Sequence, residues 1–212
     1  MDDLIKKYPL LDSIKVSRET CLDFSKFLSM IKEKNDKINL ISKKDTINNV
    51  IMDRHIIDSA QIIDFIDLNC NTTYDLGSGS GFPGIVTAII AKNEKKKIKV
   101  NLCEKSYHKA AFLKTVSKEL NLNTEIFQKD IFKIKKIKTG TIMARAFKPL
   151  TEILDLVCNN FEEYKNLIVF MGKSGEKILE KNLKEWDFKF EKKKSITSQE
   201  SFLLNITNIK KK

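Results

Sequence analysis

Four of the chain's seven glycines lie in one ten-residue run, residues 75–84, which reads Asp-Leu-Gly-Ser-Gly-Ser-Gly-Phe-Pro-Gly. Closely spaced glycines let the backbone turn sharply and let a ligand lie directly against it. β-branched and aromatic residues precede the run at 72–74 and an apolar stretch follows at 85–91, so the run is expected to join a strand to a helix. The chemistry that this predicts is the binding of a nucleotide-like ligand, although a tight structural turn would also use glycines.

The glycine spacing is compatible with a dinucleotide cofactor. Gly79-x-Gly81-x-x-Gly84 satisfies the dinucleotide-binding pattern, and Glu104 follows Gly84 by twenty residues, where a ribose-binding acid is expected. The pattern alone therefore leaves a nicotinamide dehydrogenase open. As a single acid at a strand end, Glu104 can also cap the following helix.

Asp75 favours S-adenosylmethionine over a dinucleotide. It lies two residues before Gly77, where its carboxylate can hold the cationic methionine end of that cofactor and would repel a pyrophosphate. Phe82 and Pro83 also occupy the helix start that a dinucleotide fold leaves clear for phosphate. We therefore expect Asp75, Gly77 and Gly79 to bind S-adenosylmethionine.

Residues at the ends of the next two predicted strands are expected to complete the cofactor site. Glu104 ends the strand at 98–103 and can accept both ribose hydroxyls. Asp130, Ile131 and Phe132 come just past the strand at 124–128, where a backbone group can bond the adenine edge and apolar side chains can flank its face. Core packing of Ile131 and Phe132 is the alternative.

The elements that position these residues alternate between strands and helices. Strands are predicted at 73–76, 98–103, 124–128, 140–144 and 166–171, and helices at 82–92, 107–120, 149–160 and 174–184. This alternation indicates an α/β fold with a mostly parallel sheet covered on both faces. The last strand candidates, 186–191 and 202–209, are joined by a polar loop and predict an antiparallel C-terminal hairpin.

Residues 1–70 are predicted to form an N-terminal helical extension, with the cofactor-binding domain at 71–212. Apolar residues spaced three and four apart predict an amphipathic helix from Ser17 to about Ile38. Asp45 can cap a second, short helix, and apolar residues from Ile56 toward Phe65 predict a third.

The charge of the chain suits a polyanionic partner. Net charge is +11 and the pI is near 9.3, which is typical of nucleic-acid-binding proteins, although lysines on solvated faces would give the same sum. Only three of the 39 basic residues are arginines: Arg18, Arg54 and Arg145. In a chain this rich in lysine, an arginine indicates a position that needs a planar group with several hydrogen-bond donors. A non-enzymatic RNA-binding module stays open on charge alone.

Cysteine spacing and apolar run lengths exclude other classes. The four cysteines are widely separated, lack Cys-x-x-Cys spacing and have few histidine partners, so neither a zinc site nor a disulfide scaffold is expected. There is no apolar run of membrane-spanning length and no basic-then-apolar N-terminus. We expect a cytoplasmic monomer with reduced thiols, no metal and no membrane contact.

Several motifs together resemble one enzyme family. They are Arg54-His55-Ile56-Ile57-Asp58-Ser59, the glycine run with its Phe-Pro-Gly ending, Glu104-Lys105-Ser106, and Arg145-Ala146-Phe147, with Asn39-Leu40 upstream. In order and spacing they resemble the small-subunit (16S) ribosomal RNA guanine-N7 methyltransferases, the methyltransferase G family once called glucose-inhibited division protein B. The resemblance covers about residues 20–185 and implies a class I, Rossmann-like methyltransferase fold.

The resemblance also implies an activity. It implies methyl transfer from S-adenosylmethionine to N7 of a guanosine in the decoding-region loop of 16S rRNA, in the small ribosomal subunit. It places the cofactor at Gly77, Phe82, Ile131, Phe132 and Arg145. The chain departs from the family at residues 171–174, Met-Gly-Lys-Ser, where the family usually shows Lys-Gly, and at Ser201, where an arginine is often found.

Guanine N7 carries a lone pair and no proton, so alignment rather than a general base can carry the catalysis. Arg145 is the expected catalytic residue: it can fix guanine through O6 or a phosphate, or hold the cofactor, and a surface ion pair is the alternative. Arg54, His55 and Lys173 are expected to contact RNA. For Arg54 and His55 the alternative is a local cap, in which Arg54 pairs with Asp58 four residues later. An acceptor other than RNA, a small molecule or a protein, stays open.

Overall fold

The computed structural model describes residues 6, 8–14, 16–42 and 51–212. The helix that Asp45 is expected to cap lies outside the described residues. The longer helices are α1 (Arg18–Asn35), α2 (Gly84–Asn93), α3 (Tyr107–Glu119), α4 (Leu150–Asn160) and α5 (Gly175–Glu185). The strands are β1 (Thr72–Leu76), β2 (Lys99–Cys103), β3 (Thr124–Phe127), β4 (Ile137–Lys138), β5 (Thr141–Ala144), β6 (Phe161–Glu163), β7 (Asn166–Met171), β8 (Trp186–Lys194) and β9 (Phe202–Lys211).

Seven strands form one sheet in the order β3-β2-β1-β5-β7-β9-β8. The first five are parallel, and β9 runs antiparallel to both β7 and β8. The predicted α/β fold, with a mostly parallel sheet and an antiparallel C-terminal hairpin, is therefore confirmed. The chain moves outward from β1 through β2 to β3, then returns to β5 on the other side of β1. The carboxyl ends of β1 and β5 thus flank the point where strand order reverses, which is where ligands bind in open α/β sheets.

Helices cover both faces of the sheet, so its central strands are buried on both sides. On one face α1 packs against α2, and Phe24, Phe27 and Ile31 share a core with Ile85 and Ile89, each with no exposed surface. Burial of one such side chain contributes about 1.5 to 3 kcal/mol. The N-terminal segment is therefore built into the core of the sheet, and a domain boundary at residue 70 stays a prediction.

Side-chain caps set both ends of α1. At its start the Ser17 hydroxyl accepts a hydrogen bond from the Thr20 N–H at 3.2 Å. At its end Asn35 Oδ1 accepts from the N–H groups of Leu40 and Ile41 at 3.0 and 2.9 Å, which folds the following chain back over the helix end. The Ser80 hydroxyl donates to the Leu40 carbonyl, so this end of α1 is tied to the glycine run.

The predicted third helix has a different form. A π-helical segment, Met52–Ile57, runs into the helical turn Asp58–Ala60, and a 3₁₀ turn follows at Ile63–Phe65. π-helical turns are rare and lie frequently at functional sites. β4 and β6 pair in parallel as a separate small sheet that the sequence did not predict, because strands of two and three residues are too short to show an alternating pattern.

No helix within the described ranges is both long and apolar enough to cross a membrane, and no group of three His, Cys, Asp or Glu side chains there could hold a metal ion. The thiols of Cys21, Cys70, Cys103 and Cys158 are free.

Candidate active site

The glycine run forms the turn between β1 and α2, as the sequence predicts. Gly77 and Gly79 have φ angles of +69° and +54°, in the left-handed region that side chains disfavour. A Cβ at Gly79 would have the Gly77 carbonyl oxygen, at 3.8 Å, as its nearest neighbour, whereas a Cβ at Gly77 would lie 2.3 Å from Phe147 Cδ2. The bare backbone at Gly79 therefore leaves open a space that a ligand can enter.

Asp75 lies beneath the turn rather than at its surface. The residue has no exposed surface, and its Oδ2 accepts a hydrogen bond from the Gly84 N–H, the first residue of α2, at 3.0 Å. Burial raises the pKa of this carboxyl to about 7. Its Oδ1 is buried without a hydrogen-bond partner among the described residues. In this arrangement Asp75 fixes the start of α2, and its direct contact with a cofactor stays a prediction.

Glu104 lies where β2 ends and bridges the glycine turn to the start of α3. Its Oε2 accepts from the Gly79 N–H at 2.9 Å, and its Oε1 accepts from the Ser106 N–H at 2.7 Å. Both sequence interpretations thus have a structural basis, because the carboxylate bonds the chain next to α3 and also borders the open space at the turn. A carboxylate can accept further hydrogen bonds on its remaining lone pairs.

This open space is a cavity of about 370 Å³, which we call the first cavity. It is lined by Gly77, Gly79, Cys103, Glu104, Lys105, Lys109, Lys129, Asp130, Ile131, Phe132, Ala146, Phe147 and Lys148. The Asp130 carboxylate accepts from the Phe132 N–H at 3.1 Å and caps a short 3₁₀ turn. The ring of Phe132 is partly exposed and stacks on that of Phe147, with centroids 6.2 Å apart, whereas Ile131 is almost fully buried.

The first cavity fits the nucleoside end of S-adenosylmethionine. A left-handed glycine leaves one side of it free of side chains, a carboxylate that can accept two hydroxyl donors borders it, and an aromatic ring flanks it. The structure brings six of the sequence-predicted cofactor residues to this cavity: Gly77, Gly79, Glu104, Asp130, Ile131 and Phe132.

Arg145 follows β5 and is held by three groups from residues 54–58. Its Nη2 lies 3.0 Å from Asp58 Oδ2 and donates to the Arg54 carbonyl at 2.6 Å. Its Nη1 lies 3.2 Å from His55 Nδ1, and because a guanidinium only donates, that ring nitrogen accepts and the imidazole proton is on Nε2. Burial lowers the pKa of Arg145, which the charge of Asp58 opposes.

These contacts occupy three of the five N–H groups of Arg145, and its side chain is only 18 % exposed. The guanidinium also lies 5.6 Å from the Phe170 ring centroid and 5.9 Å from that of Phe82. Phe82 itself is nearly buried and stacks on His55 at 5.1 Å. Phe82 therefore supports the residues around Arg145 from behind and does not line the first cavity.

Asp58 joins Arg145 to the loop between β8 and β9. Its Oδ1 accepts from Gln61 Nε2 at 2.7 Å, Thr197 Oγ1 at 2.8 Å and Ser195 Oγ at 3.3 Å. The Ile196 N–H donates to Gln61 Oε1 at 3.0 Å, which fixes the loop backbone as well. No sequence pattern points to Gln61, Ser195 or Thr197, because single polar residues have no distinguishing spacing.

A second cavity, of about 390 Å³, lies between Arg145 and this loop. It is lined by Arg54, Asp58, Arg145, Ala146, Phe170, Met171, Gly172, Ser195, Thr197, Ser198, Ser201, Phe202 and Leu203. Arg54 is thus at the site, whereas Lys173 does not line the cavity: its side chain is 82 % exposed and its ammonium lies 2.9 Å from Glu200 Oε1. Two of the positions that depart from the family pattern, Met171 and Ser201, border this cavity.

Comparisons with known proteins agree with this architecture. A family model described as rRNA small subunit methyltransferase G matches residues 20–206. Among curated relatives, "Ribosomal RNA small subunit methyltransferase G" of Pelagibacter ubique (strain HTCC1062) is 60% identical over 212 residues, all of both chains. The protein of the same name from Bartonella tribocorum (strain CIP 105476 / IBS 506) is 38% identical over 99% of each chain.

A solved structure supports the fold alone. It is titled as a SAM dependent methyltransferase from Aquifex aeolicus, and it matches with a TM-score of 0.57 at 13% identity, covering 77% of this chain and 95% of that one.

Proposed function

Because the chain belongs to the rRNA small subunit methyltransferase G family, we propose that it transfers a methyl group from S-adenosylmethionine to N7 of a guanosine in the decoding-region loop of 16S rRNA. The observation that carries this proposal is the pair of neighbouring cavities at the strand ends, one beside the glycine turn and Glu104, the other beside Arg145. Ala146 lines both cavities, which supports neighbouring sites for a methyl donor and an acceptor.

The first cavity would hold the cofactor through both main chain and side chains. Gly77 and Gly79 would let it lie against the backbone, and Glu104 would accept the ribose hydroxyls. Asp130 and Phe132 would bind the adenine, one through its polar groups and the other through its ring face. The buried side chain of Ile131 anchors the short turn that carries Asp130 and Phe132.

Asp75 and Phe82 would act on the cofactor site indirectly. Asp75 holds the first N–H of α2 and so fixes the turn that borders the cavity. Phe82 fixes His55, which in turn bonds Arg145.

The chemistry needs alignment more than proton transfer. When bound, S-adenosylmethionine supplies the methyl group on a positively charged sulfur, and its transfer to the N7 lone pair leaves S-adenosylhomocysteine and 7-methylguanosine. Arg145 has two N–H groups outside its contacts with residues 54–58, which can hold guanine O6 or a phosphate. Holding the acceptor in line and excluding water can account for most of the rate enhancement.

We propose that the basic surface binds the RNA, with Arg54, His55 and Lys173 among the contacts. A net charge of +11 gives a sequence-independent attraction to the phosphates. We also propose that the protein acts as a cytoplasmic monomer without a bound metal.

The test is methylation of small ribosomal subunits from cells that lack this methyltransferase. Purified protein and labelled S-adenosylmethionine should produce 7-methylguanosine at one position of 16S rRNA, mapped by mass spectrometry. Glu104→Gln should weaken cofactor binding by about tenfold to a hundredfold, because bonds to a charged acceptor are lost. Glu125→Gln, a substitution on β3 at an exposed pair with Lys99, is the matched control and should bind normally. Absence of 7-methylguanosine with the wild-type protein would refute the proposal.

A further inference from the structure

The second cavity is lined by many polar side chains, whereas a neighbouring third cavity is almost entirely apolar. This third cavity adjoins the first and second cavities and shares Ala146, Phe170, Met171 and Gly172 with the second. Apart from Lys148, the side chains of the third cavity are apolar. The second cavity instead combines two guanidinium groups, the Asp58 carboxylate and the hydroxyls of four side chains, so it suits a polar, hydrogen-bonding ligand.

The hydroxyl groups come from the loop between β8 and β9, and that loop is held in place before any ligand arrives. Thr197 bonds Asp58, and the Ser201 hydroxyl donates to that of Ser198 at 3.0 Å. The carboxylate that holds Thr197 also holds Arg145. The arginine wall and the hydroxyl wall of the cavity are therefore fixed to each other, which lowers the ordering cost of binding.

Other lining residues of the second cavity are apolar, and two of them are aromatic. Phe170, at the end of β7, and Phe202, at the start of β9, lie on neighbouring antiparallel strands, and both line the cavity. Aromatic faces stack on bases whatever their identity. A cavity of about 390 Å³ falls within the range of about 300 to 1,000 Å³ that small-ligand sites occupy.

Ala146 is the point where the cavities meet. Its φ of +48° lies in the left-handed region, where a residue with a side chain is strained. This conformation turns the chain between Arg145, on the second cavity, and Phe147, on the first. Ligands in the two cavities would therefore both touch Ala146.

We propose that the second cavity receives the acceptor nucleoside, turned out of the RNA so that its base lies against Phe170 and Phe202 and its polar groups meet Arg145 and the hydroxyls of the β8–β9 loop. The proposal rests on the proposed function and assigns its acceptor site. Enzymes that modify a base generally take it out of its stack into a pocket of this kind. In this proposal the C-terminal hairpin contacts the substrate directly.

Gly172 allows a sharp test because its side-chain position is free. A Cβ at this residue would meet no atom within 4 Å, so Gly172→Leu adds bulk at the border of the second and third cavities without a Cβ clash. Ser198→Trp adds a large side chain to the loop that lines the second cavity, and Ser198 lines neither of the other two cavities. Ser174→Leu is the matched control, because Ser174 is exposed, makes no side-chain cap bond to α5 and does not line the cavity.

Methyl transfer to small ribosomal subunits and binding of S-adenosylmethionine are measured for each protein. Gly172→Leu and Ser198→Trp should lower kcat/KM for the subunits about tenfold or more, with cofactor affinity changed by less than about twofold. Ser174→Leu should match the wild type. Wild-type turnover in both cavity variants would overturn the proposal, and so would a matching loss of cofactor affinity in both. If only Gly172→Leu loses cofactor affinity, the turnover of Ser198→Trp tests the proposal: reduced turnover supports it and wild-type turnover overturns it. A wild-type protein that fails to methylate 16S rRNA would refute the proposed function instead.

Discussion

Replacing Asp75 by asparagine should change how the stability of the protein depends on pH. The folded chain buries this carboxyl completely, which raises its pKa from 3.8 to about 7. Between these two values the unfolded chain has released the proton and the folded chain still holds it. Raising the pH through this window therefore destabilises the folded state, and the penalty becomes constant above the folded pKa.

The magnitude follows from the size of the shift. A shift of about three pKa units at about 1.36 kcal/mol per unit amounts to about 4 kcal/mol, of which about 3 kcal/mol falls between pH 5 and pH 8. Asparagine keeps an oxygen for the Gly84 N–H and cannot ionise. Any cost of its extra amide donor is the same at every pH. The pH dependence of the difference in unfolding free energy between the two proteins therefore reports the ionisation of Asp75 alone.

Urea unfolding at pH 5, 6, 7 and 8 measures this difference directly. The stability of the Asp75→Asn variant relative to wild type should rise with pH by about 3 kcal/mol across this range. Asp67→Asn is the control, because a hydrogen bond from Lys165 lowers the pKa of Asp67 to about 2 and it is ionised throughout the range. Parallel stability curves for wild type and Asp75→Asn would show that the folded protein does not hold this proton, and the reasoning would fail.

Three further predictions concern the turn, the arginine and the RNA. Gly77→Ala should cost about 1 to 2 kcal/mol in urea unfolding through its left-handed φ alone, with a further loss from the contact at Phe147. Phe147→Ala in the same chain should restore only that second part, and full recovery would argue against backbone strain. Arg145→Lys should lower single-turnover methylation about tenfold or more, since an ammonium cannot hold Asp58 and His55 in a fork, and an unchanged rate would remove this role. Affinity for 16S rRNA should fall steeply between about 50 and 200 mM salt, and constant affinity would contradict lysine-dominated binding.

The parts of the site that the sequence predicts are those whose causes are local. Glycines at 77 and 79 mark the turn because only residues within a few positions determine its backbone angles. The residues that end the strands, such as Glu104, follow from the alternation of strands and helices, since parallel strands all point their carboxyl ends to one edge. Asp75 was correctly placed beside the turn, but whether its carboxylate faces outward or into the core depends on packing that no short pattern encodes.

The parts that the sequence misses depend on contacts between distant segments. The bond from Arg145 to the Arg54 carbonyl spans 91 positions, and that from Ser195 to Asp58 spans 137. Helical spacing suggested that Asp58 would pair with Arg54 four residues earlier. In the folded chain its carboxylate lies between Arg145 and the β8–β9 loop, because the π-helical segment brings it there. A local pattern cannot anticipate a π-helical turn or its partners.

The contacts of Asp58 show that segments from both ends of the chain contribute to the second cavity. The pattern of predicted elements divides the chain near residue 70, yet the polar groups that hold Arg145 all lie before that boundary. The loop that completes the second cavity lies near the other end of the chain. The N-terminal segment supplies the carboxylate on which the arginine and the loop hydroxyls converge. The sheet with its glycine turn can therefore form a cofactor cavity from its own residues, whereas the acceptor cavity needs both ends of the chain. If the second cavity receives the acceptor as proposed, the extension is part of the active site, because residues 54–58 hold Arg145 in position.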